Sequence, residues 1–248
     1  MQMRNGELST DAGTAMRQIK PLLTAYIVME AFLLVAVRLT EFSTPPAVYC
    51  RIMYAPIVLD FAMMTYLFIR FGRQRLGWRD NLIPMAFAFM LCADTFLCLI
   101  DDIYIMGYIF FCCVELCYAL YLKPGKINII LRVLLAAALL AALYARGLLD
   151  VSNAVAIINI SLLIGNAASA WIVQAKHPEK RNLLFSIGIT LFFVCDGSIA
   201  ARTLLAPGTM IHTVFAILVW TAYIPAQVFI LLSYVEMIKK FLQEEKAK

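Results

Sequence analysis

Residues 182–204, NLLFSIGITLFFVCDGSIAARTL, decide the fold class of this chain. The segment is long enough to cross a bilayer, which takes about 20 predominantly apolar residues. Its apolar residues come in blocks and do not alternate, as expected for a helix and not for a barrel strand. One acid, Asp196, interrupts the segment, and the nearest charged residues are Arg181 and Arg202. A carboxylate in such a place is costly, so Asp196 requires an explanation.

Similar apolar blocks recur along the rest of the chain. Hydrophobic residues make up 63% of the 248 residues and the mean hydropathy is +0.83, whereas soluble domains are closer to half apolar. We therefore expect an all-α membrane protein that folds as one bundle of eight transmembrane helices. The predicted spans are 21–40, 48–71, 82–100, 104–122, 127–145, 153–175, 182–204 and 213–238. A polar cytoplasmic N-terminal segment (1–20) and a charged cytoplasmic tail (239–248) flank the transmembrane domain (21–238).

The basic residues predict the orientation of this bundle. Most of the 21 Lys and Arg residues fall at helix ends that share one face of the membrane when both termini are cytoplasmic, and Arg132, just inside the fifth span, counts with them. The exceptions are Arg38, Arg51, Arg146 and Arg202. Because cytoplasmic loops carry the excess of Lys and Arg, we expect a multi-pass protein with both termini inside, in the cytoplasmic membrane if the source is bacterial. The net charge of +5 then reflects topology and anionic lipid contact, and we expect no nucleic-acid partner.

The sequence lacks the residues that several kinds of catalytic site require. The two histidines, His177 and His212, are predicted at helix ends on opposite sides, so a three-histidine zinc site cannot form. The seven cysteines show no ligand pattern with histidine, and we interpret them as small apolar packing residues. The sequence contains no Gly-rich phosphate loop and no G-x-S-x-G elbow. We therefore expect neither a metal nor a cofactor.

Five acids lie well inside predicted spans, where an ionisable group costs at least about 2.5–3.5 kcal/mol. They are Glu30, Asp60, Asp94, Glu115 and Asp196. With a rise of about 1.5 Å per residue, Asp94 and Asp196 fall at similar depths, roughly 18–21 Å from the cytoplasmic boundary, and Glu115 falls slightly nearer the middle. For Glu30 and Asp60 we favour interhelical hydrogen bonding. For Asp94 and Asp196 the matched depth favours a reaction site.

A matched pair of buried acids has a specific chemical use. Burial and a neighbouring carboxylate both oppose ionisation, so that one acid stays protonated beside an ionised one. Such a pair suits reactions that pass through an oxocarbenium-like state, because one group donates a proton while the other stabilises the cation or activates water. The alternative is that the acids are neutral and join the helices by hydrogen bonds.

Four segments carry a resemblance to a known family of eight-helix membrane proteins. Helix 3 reads ADTFLCLI, helix 4 GYIFFCCVELCY, helix 7 GITLFFVCDGSIA and helix 8 TAYIPAQVFI. In order and position these segments resemble the motifs of the YhhN-like family, whose characterised members are lysoplasmalogenases. The family motifs are Gly-Asp before an apolar run, Gly with Phe-x3-His-x2-Tyr, Gly-x-x-Leu-Phe-x-x-Ser-Asp, and Tyr-x3-Gln.

The resemblance implies roles for individual residues. Asp94 and Asp196 fall on the two acids that are thought to be catalytic in the family. The residues that it implies as supporting or substrate-binding are Glu115, Tyr118, Tyr223, Gln227 and Arg51. This sequence departs from the family motifs at three positions, since Ala93 stands in place of Gly, Glu115 in place of His and Cys195 in place of Ser.

The resemblance also implies a substrate and a reaction. The substrate would be a lysoplasmalogen or a related single-chain ether lipid, hydrolysed at its 1-alkenyl ether to a fatty aldehyde and a glycerophospho head group. One of Asp94 and Asp196 would be the general acid, and the other would orient water and stabilise the cation. Arg51 and Arg202, on the expected outer side, are candidates to bind the phosphate, but arginines at helix ends usually extend to the membrane interface, and we favour that interpretation. Membrane lipids are the other expected partners.

Two alternatives stay open on the sequence. A proton-coupled transporter of small solutes would use Glu30, Asp60 and Glu115 as relay groups. A non-catalytic lipid-binding homologue would keep the fold, with its site disabled by the altered residues beside the acids. Transport predicts flux into proteoliposomes without cleavage, and lipid binding predicts protection against heat without turnover.

Overall fold

The computed structural model describes residues 12–41, 43–72, 76–100, 103–206 and 208–246. The α-helices are α1 Ala12–Thr40, α2 Pro46–Leu67, α3 Leu82–Cys98, α4 Tyr104–Leu122, α5 Lys126–Ala145, α6 Val151–Lys176, α7 Lys180–Leu204 and α8 Met210–Lys246. A π-helical turn, Phe68–Gly72, continues α2. No strand occurs in the described ranges, and the prediction of an all-α bundle of eight helices is confirmed.

The lengths of the helices fit a membrane. Within the described ranges, seven helices are long and apolar enough to cross a bilayer, namely α1, α2 with its π-helical turn, and α4 to α8. The remaining helix, α3, has 17 residues and is therefore about 26 Å long, the lower limit for a hydrocarbon core of about 30 Å. These lengths are those of a multi-pass membrane protein.

Helix boundaries differ from the prediction mainly at the two ends of the chain. Helix α1 begins at Ala12 and not at residue 21, and α8 continues to Lys246 and not to residue 238. Hydropathy marks the apolar middle of a membrane helix and misses polar turns that extend beyond the hydrocarbon core. Parts of the predicted polar segment and tail are therefore helical, while residues 1–11 and 247–248 of these segments lie outside the described residues.

Seven of the helices pack in a closed ring, and α5 lies outside it. Around the ring, α1 packs on α2, α2 on α3, α3 on α4, α4 on α6, α6 on α7, α7 on α8, and α8 on α1. Helix α5 packs on α6, and Arg132 is the one buried residue among the 20 of α5. We call the end of the bundle where the odd-numbered helices finish the far end, and the opposite end the near end. The far end is marked by Thr40, Cys98, Ala145 and Leu204.

Two glycines allow ring helices to approach each other closely. A Cβ atom on Gly107 of α4 would lie 3.1 Å from the carbonyl oxygen of Ala93 in α3, next to Asp94. A Cβ atom on Gly188 of α7 would lie 2.6 Å from Cγ1 of Ile230 in α8. Small residues permit such close packing between membrane helices. These two contacts fix α3 against α4 and α7 against α8.

Candidate active site

The five acids predicted inside the spans come together in two groups. The first, which we call the α1–α2 acid cluster, consists of Tyr26, Glu30 and Asp60. The second, the central acid cluster, consists of Asp94 on α3, Glu115 on α4 and Asp196 on α7. Asp196 is close enough to both Asp94 and Glu115 for their charges to interact, and Asp60 interacts with both Glu30 and Asp94. Two acids predicted at matched depth are therefore neighbours in the folded chain.

Asp94 is buried and held by a strong hydrogen bond. Its side chain is 5% exposed, and the hydroxyl of Tyr223 in α8 donates to its Oδ2 atom. The Tyr223 ring packs against Phe192 with centroids 5.7 Å apart, and Phe192 packs against Phe111 at 5.9 Å. This row of rings restricts the phenol, and a phenol that donates to a carboxylate is among the strong, short types of hydrogen bond.

Asp196 is the accessible member of the pair. It is half-buried, and its one hydrogen bond from a described side chain comes from Asn159 Nδ2 on α6 at 3.4 Å, which is long for this type of bond. The next residue, Gly197, borders open space, since a Cβ atom there would meet no atom of the described residues within 4 Å. A substrate can therefore approach Asp196 more easily than Asp94.

Glu115 completes the central acid cluster from α4. It is fully buried, and the side-chain amide of Asn166 in α6 donates to both its backbone oxygen, at 2.8 Å, and its Oε2 atom, at 2.7 Å. Its Oε1 atom is buried and has no hydrogen-bond partner among the described residues. Glu115 thus has one tethered oxygen and one unpaired oxygen among the described residues, and its carboxyl group interacts with Asp196.

The remaining residues that the sequence predicted for the site lie in the same core. Tyr118 and Gln227 are both completely buried, and neither the Tyr118 hydroxyl nor the Gln227 side-chain amide has a hydrogen-bond partner among the described residues. The Tyr118 ring packs edge-on against Phe185, with centroids 5.5 Å apart. Gln227 lies one turn beyond Tyr223 on α8, as the spacing predicted. Of these residues, only Tyr223 forms a hydrogen bond to a catalytic candidate.

The two arginines predicted near a phosphate lie in different surroundings at the far end. Arg51 is exposed near the start of α2, whereas Arg202 is half-buried near the end of α7 and interacts electrostatically with Tyr49. The Arg202 Nε atom is buried without a hydrogen-bond partner among the described residues. The neighbouring Arg38 is already paired with Glu41. Arg202 is therefore the better placed of the two to bind an anion next to the bundle.

A polar cavity lies at the near end. It measures about 150 Å³ and its lining includes Arg79, Asp80 and Arg181. Asp80 lies outside the membrane spans; burial raises its pKa, and the Gly77 backbone and the two arginines offset part of that rise. Since Asp94 and Asp196 lie toward the far end of their helices, this cavity is too distant to share one small head group with them.

Four residues that hydrogen-bond to the acids or, like Arg132, interact with one of them electrostatically were not predicted as part of the site. Tyr26 donates a hydrogen bond to Asp60, Asn159 and Asn166 contact Asp196 and Glu115 as described above, and Arg132 is buried against α6 with 7% exposure. Arg132, which the sequence analysis counted with the cytoplasmic basic residues, has its side chain turned toward α6, where it donates to Asn166 and Ser169. Asn159 and Asn166 are seven residues apart, hence on one face of α6, and this spacing was the available signal.

Comparison with known proteins identifies the family to which the chain belongs. No group of three or more His, Cys, Asp or Glu side chains in the described ranges is arranged to bind a metal ion. No curated protein and no solved structure matches the chain. The sequence model of the YhhN family matches residues 55–234, a range that contains the whole central acid cluster and begins after Arg51. Because this match covers most of the chain, the protein belongs to the YhhN family.

Proposed function

We propose that this protein is an integral-membrane hydrolase that cleaves the alkenyl ether bond of a lysoplasmalogen to a fatty aldehyde and a glycerophospho head group. The observation that carries the proposal is the pairing of Asp94 with Asp196, which interact but differ in access and in hydrogen bonding. Vinyl ether hydrolysis needs a proton donor and a second group that stabilises a cation and guides water. The resemblance of both helices to the lysoplasmalogenase motifs supports the same assignment.

The reaction can be written with these two groups alone. One carboxyl group donates its proton to the alkenyl carbon distal to oxygen; the double-bond electrons form the new C–H bond, and an oxygen lone pair gives the oxocarbenium ion. Water then attacks the cationic carbon and loses a proton to the other carboxylate. As the hemiacetal collapses, the glycerol oxygen leaves with that proton, and the hemiacetal hydroxyl returns a proton to the first group. Both acids end in their starting states, as a catalyst requires.

The positions of the acids suggest how the substrate lies. Asp94 is four residues from the end of α3 and Asp196 is eight from the end of α7, so they lie about 6 and 12 Å below the far end. The phosphate and the ether oxygen of a lysoplasmalogen are separated by only a few bonds. We therefore place the head group at the far end near Arg202 and the alkenyl chain deeper in the bundle.

The head-group placement is tested by exchanging one arginine at a time. We expect Arg202→Gln to raise KM for lysoplasmenylethanolamine by about 10-fold, the value of one charge-assisted hydrogen bond. Arg51→Gln is the matched control, since Arg51 is exposed, and should change KM less than about twofold. A larger effect from Arg51 than from Arg202 would restore Arg51 as the phosphate-binding residue.

The hydrolase proposal is tested by aldehyde release from lysoplasmenylethanolamine by the purified protein in detergent. Wild type should release aldehyde, and both Asp94→Asn and Asp196→Asn should lower kcat by about 100-fold or more, the usual contribution of a general acid or base. Thermal unfolding of each variant shows whether it is folded. Absence of release by folded wild type would refute the hydrolase, and lipid-dependent protection against heat would then identify a lipid-binding homologue.

One observation favours a second candidate, a proton-coupled transporter. Asp60 interacts with Glu30 on one side and with Asp94 on the other, so a series of electrostatically linked acids extends across the ring. Such series occur in proton relays within membranes. Proteoliposomes provide the test, because a transporter would move solute with protons and release no aldehyde.

A further inference from the structure

Helix α5 contributes one charged side chain to the interior of the bundle. The Arg132 guanidinium donates hydrogen bonds to Asn128 Oδ1 at 2.6 Å, to Asn166 Oδ1 at 2.8 Å and to Ser169 Oγ at 3.0 Å. All three acceptors are neutral. A guanidinium buried among membrane helices is costly without a compensating anion, so the position of the nearest carboxylate matters.

The fold is shaped to hold Arg132 in this place. A Cβ atom on Gly165 of α6 would overlap the Arg132 side chain, whose Cγ atom would be 2.5 Å from it. Glycine at this position therefore lets the arginine lie directly against the α6 backbone. An arginine that only extended to the membrane surface would need no such groove.

The compensating anion is Glu115, on the other side of Asn166. The Asn166 amide accepts from Arg132 through Oδ1 and donates through Nδ2 to Glu115 Oε2 at 2.7 Å. Arg132 and Glu115 also interact electrostatically. Hydrogen bonds in series polarise one another, so the amide links the two charges as a bridged ion pair. This bridge favours the ionised form of Glu115.

We propose that Arg132 and Asn166 are positioning residues that hold Glu115 as an anion beside Asp196, so that Asp196 keeps its proton and acts as the general acid. Asp94 is then the carboxylate that stabilises the cation and accepts the proton from water. This assignment rests on the proposed hydrolase activity, and it separates two roles that the sequence leaves interchangeable.

The surroundings of the two aspartates agree with this division. Asp94 accepts the hydrogen bond from Tyr223, and such a bond stabilises the ionised form of a carboxyl group. From the side chains that the structure describes, Asp196 receives only the long contact from Asn159, and the unpaired oxygen of Glu115 belongs to the carboxyl group that interacts with it. A negative charge nearby opposes a second ionisation. Asp196 is also the acid that a substrate can reach.

Infrared difference spectra of the purified protein in detergent test the charge states directly. We expect Glu115→Gln and Asp94→Asn each to remove the band of an ionised carboxylate, and Asp196→Asn to remove the band of a protonated carboxyl group. Arg132→Gln should convert the Glu115 band to the protonated form. Arg146→Gln, on the exposed end of α5, is the matched control and should leave all bands in place. Loss of an ionised band with Asp196→Asn, or of a protonated band with Glu115→Gln, would overturn the proposal.

Kinetic measurements then distinguish a positioning role of Arg132 from a role that only attaches α5 to α6. Arg132→Gln should lower kcat by about 10-fold or more, since coupled residues interact at this scale, with KM changed less than about twofold and with partial recovery in Arg132→Lys. In a Glu115→Gln background, adding Arg132→Gln should change kcat less than about twofold, because no charge is left to compensate. An equal loss in both backgrounds would show that Arg132 only joins α5 to α6. If wild type releases no aldehyde, the hydrolase fails, while the infrared bands still decide the charge states.

Discussion

The α1–α2 acid cluster and the central acid cluster contain the same kinds of group in different surroundings. Each brings carboxyl groups together inside the bundle, and each has a tyrosine that donates to an aspartate, Tyr26 to Asp60 and Tyr223 to Asp94. The first cluster is sealed, with Glu30 1% and Asp60 3% exposed, whereas the second includes the half-buried Asp196 next to open space. Burial of an acid is therefore common to both clusters, and access to it distinguishes the proposed reaction site.

The largest expected difference between the clusters lies in the effect of removing a carboxyl group. We expect Asp196→Asn to lower kcat by about 100-fold or more, and the same substitution at Asp60 to lower it less than about threefold, because no substrate reaches Asp60. Aldehyde release at saturating substrate measures both effects. If Asp60→Asn matched the loss of Asp196→Asn, the two clusters would work as one, as in a relay.

The two tyrosines provide a second matched pair. Tyr223→Phe should lower kcat by about 10-fold, since it removes a charge-assisted bond from a carboxylate that acts in the reaction. Tyr26→Phe removes the equivalent bond to Asp60 and should lower thermal stability while kcat changes less than about twofold. Unfolding in detergent and turnover, measured on the same preparations, distinguish the two outcomes. A kinetic defect in Tyr26→Phe would extend the active site to α1.

Most of the fold and the central pair follow from the sequence, and the reason is physical. An apolar run must cross the membrane, and loops with an excess of Lys and Arg fix its direction. The number of helices and the depth of each residue in the membrane can therefore be predicted from the sequence. Depth alone was enough to match Asp94 with Asp196. Depth does not give the rotation of a helix about its axis, which decides which side chains meet.

The residues that the sequence did not predict are those whose contacts depend on the rotation of a helix about its axis. Arg132 is near a helix end, where snorkelling to the surface is usual, and only the groove at Gly165 explains why its side chain turns inward. Asn159 and Asn166 are uncharged and hardly change the hydropathy of α6, so nothing along the chain links them to acids on α7 and α4. The roles of Arg51 and Arg202 likewise depend on which helix faces lie together at the far end.

Two glycines of α7 test whether the space beside Asp196 is used. Gly197→Val should leave folding almost unchanged, because its side chain enters open space, and should raise KM by a few-fold if the substrate occupies that space. Gly188→Ala places a methyl group against Ile230 and should destabilise the protein by about 1–3 kcal/mol, the usual cost of overpacking. KM and thermal unfolding give the two readouts. A Gly197→Val variant with unchanged KM would move the substrate away from this face of α7.

The smallest effect is expected for an acid outside both clusters. Glu179, between α6 and α7, accepts a hydrogen bond from Lys240 at 2.9 Å, which lowers its pKa. A lowered pKa contributes stability that is complete at neutral pH, above the range where free glutamate titrates, and that is lost as the pH falls through the lowered pKa. Lys240→Ala should therefore cost less than about 1 kcal/mol at pH 7, since the pair is partly exposed, and progressively less as the pH is lowered into the acid range. Thermal unfolding across this pH range checks the sign.

The shortness of α3 has a consequence for the membrane around the protein. With 17 residues, this helix cannot match a thick bilayer, so lipids beside it must compress or the flanking polar segments must be drawn inward, at a cost that grows with each ångström of mismatch. Asp94 lies on this helix, only one turn from its far end. Bilayer thickness therefore acts on the position of a proposed catalytic group, and turnover in vesicles should decrease as the acyl chains of the host lipid lengthen.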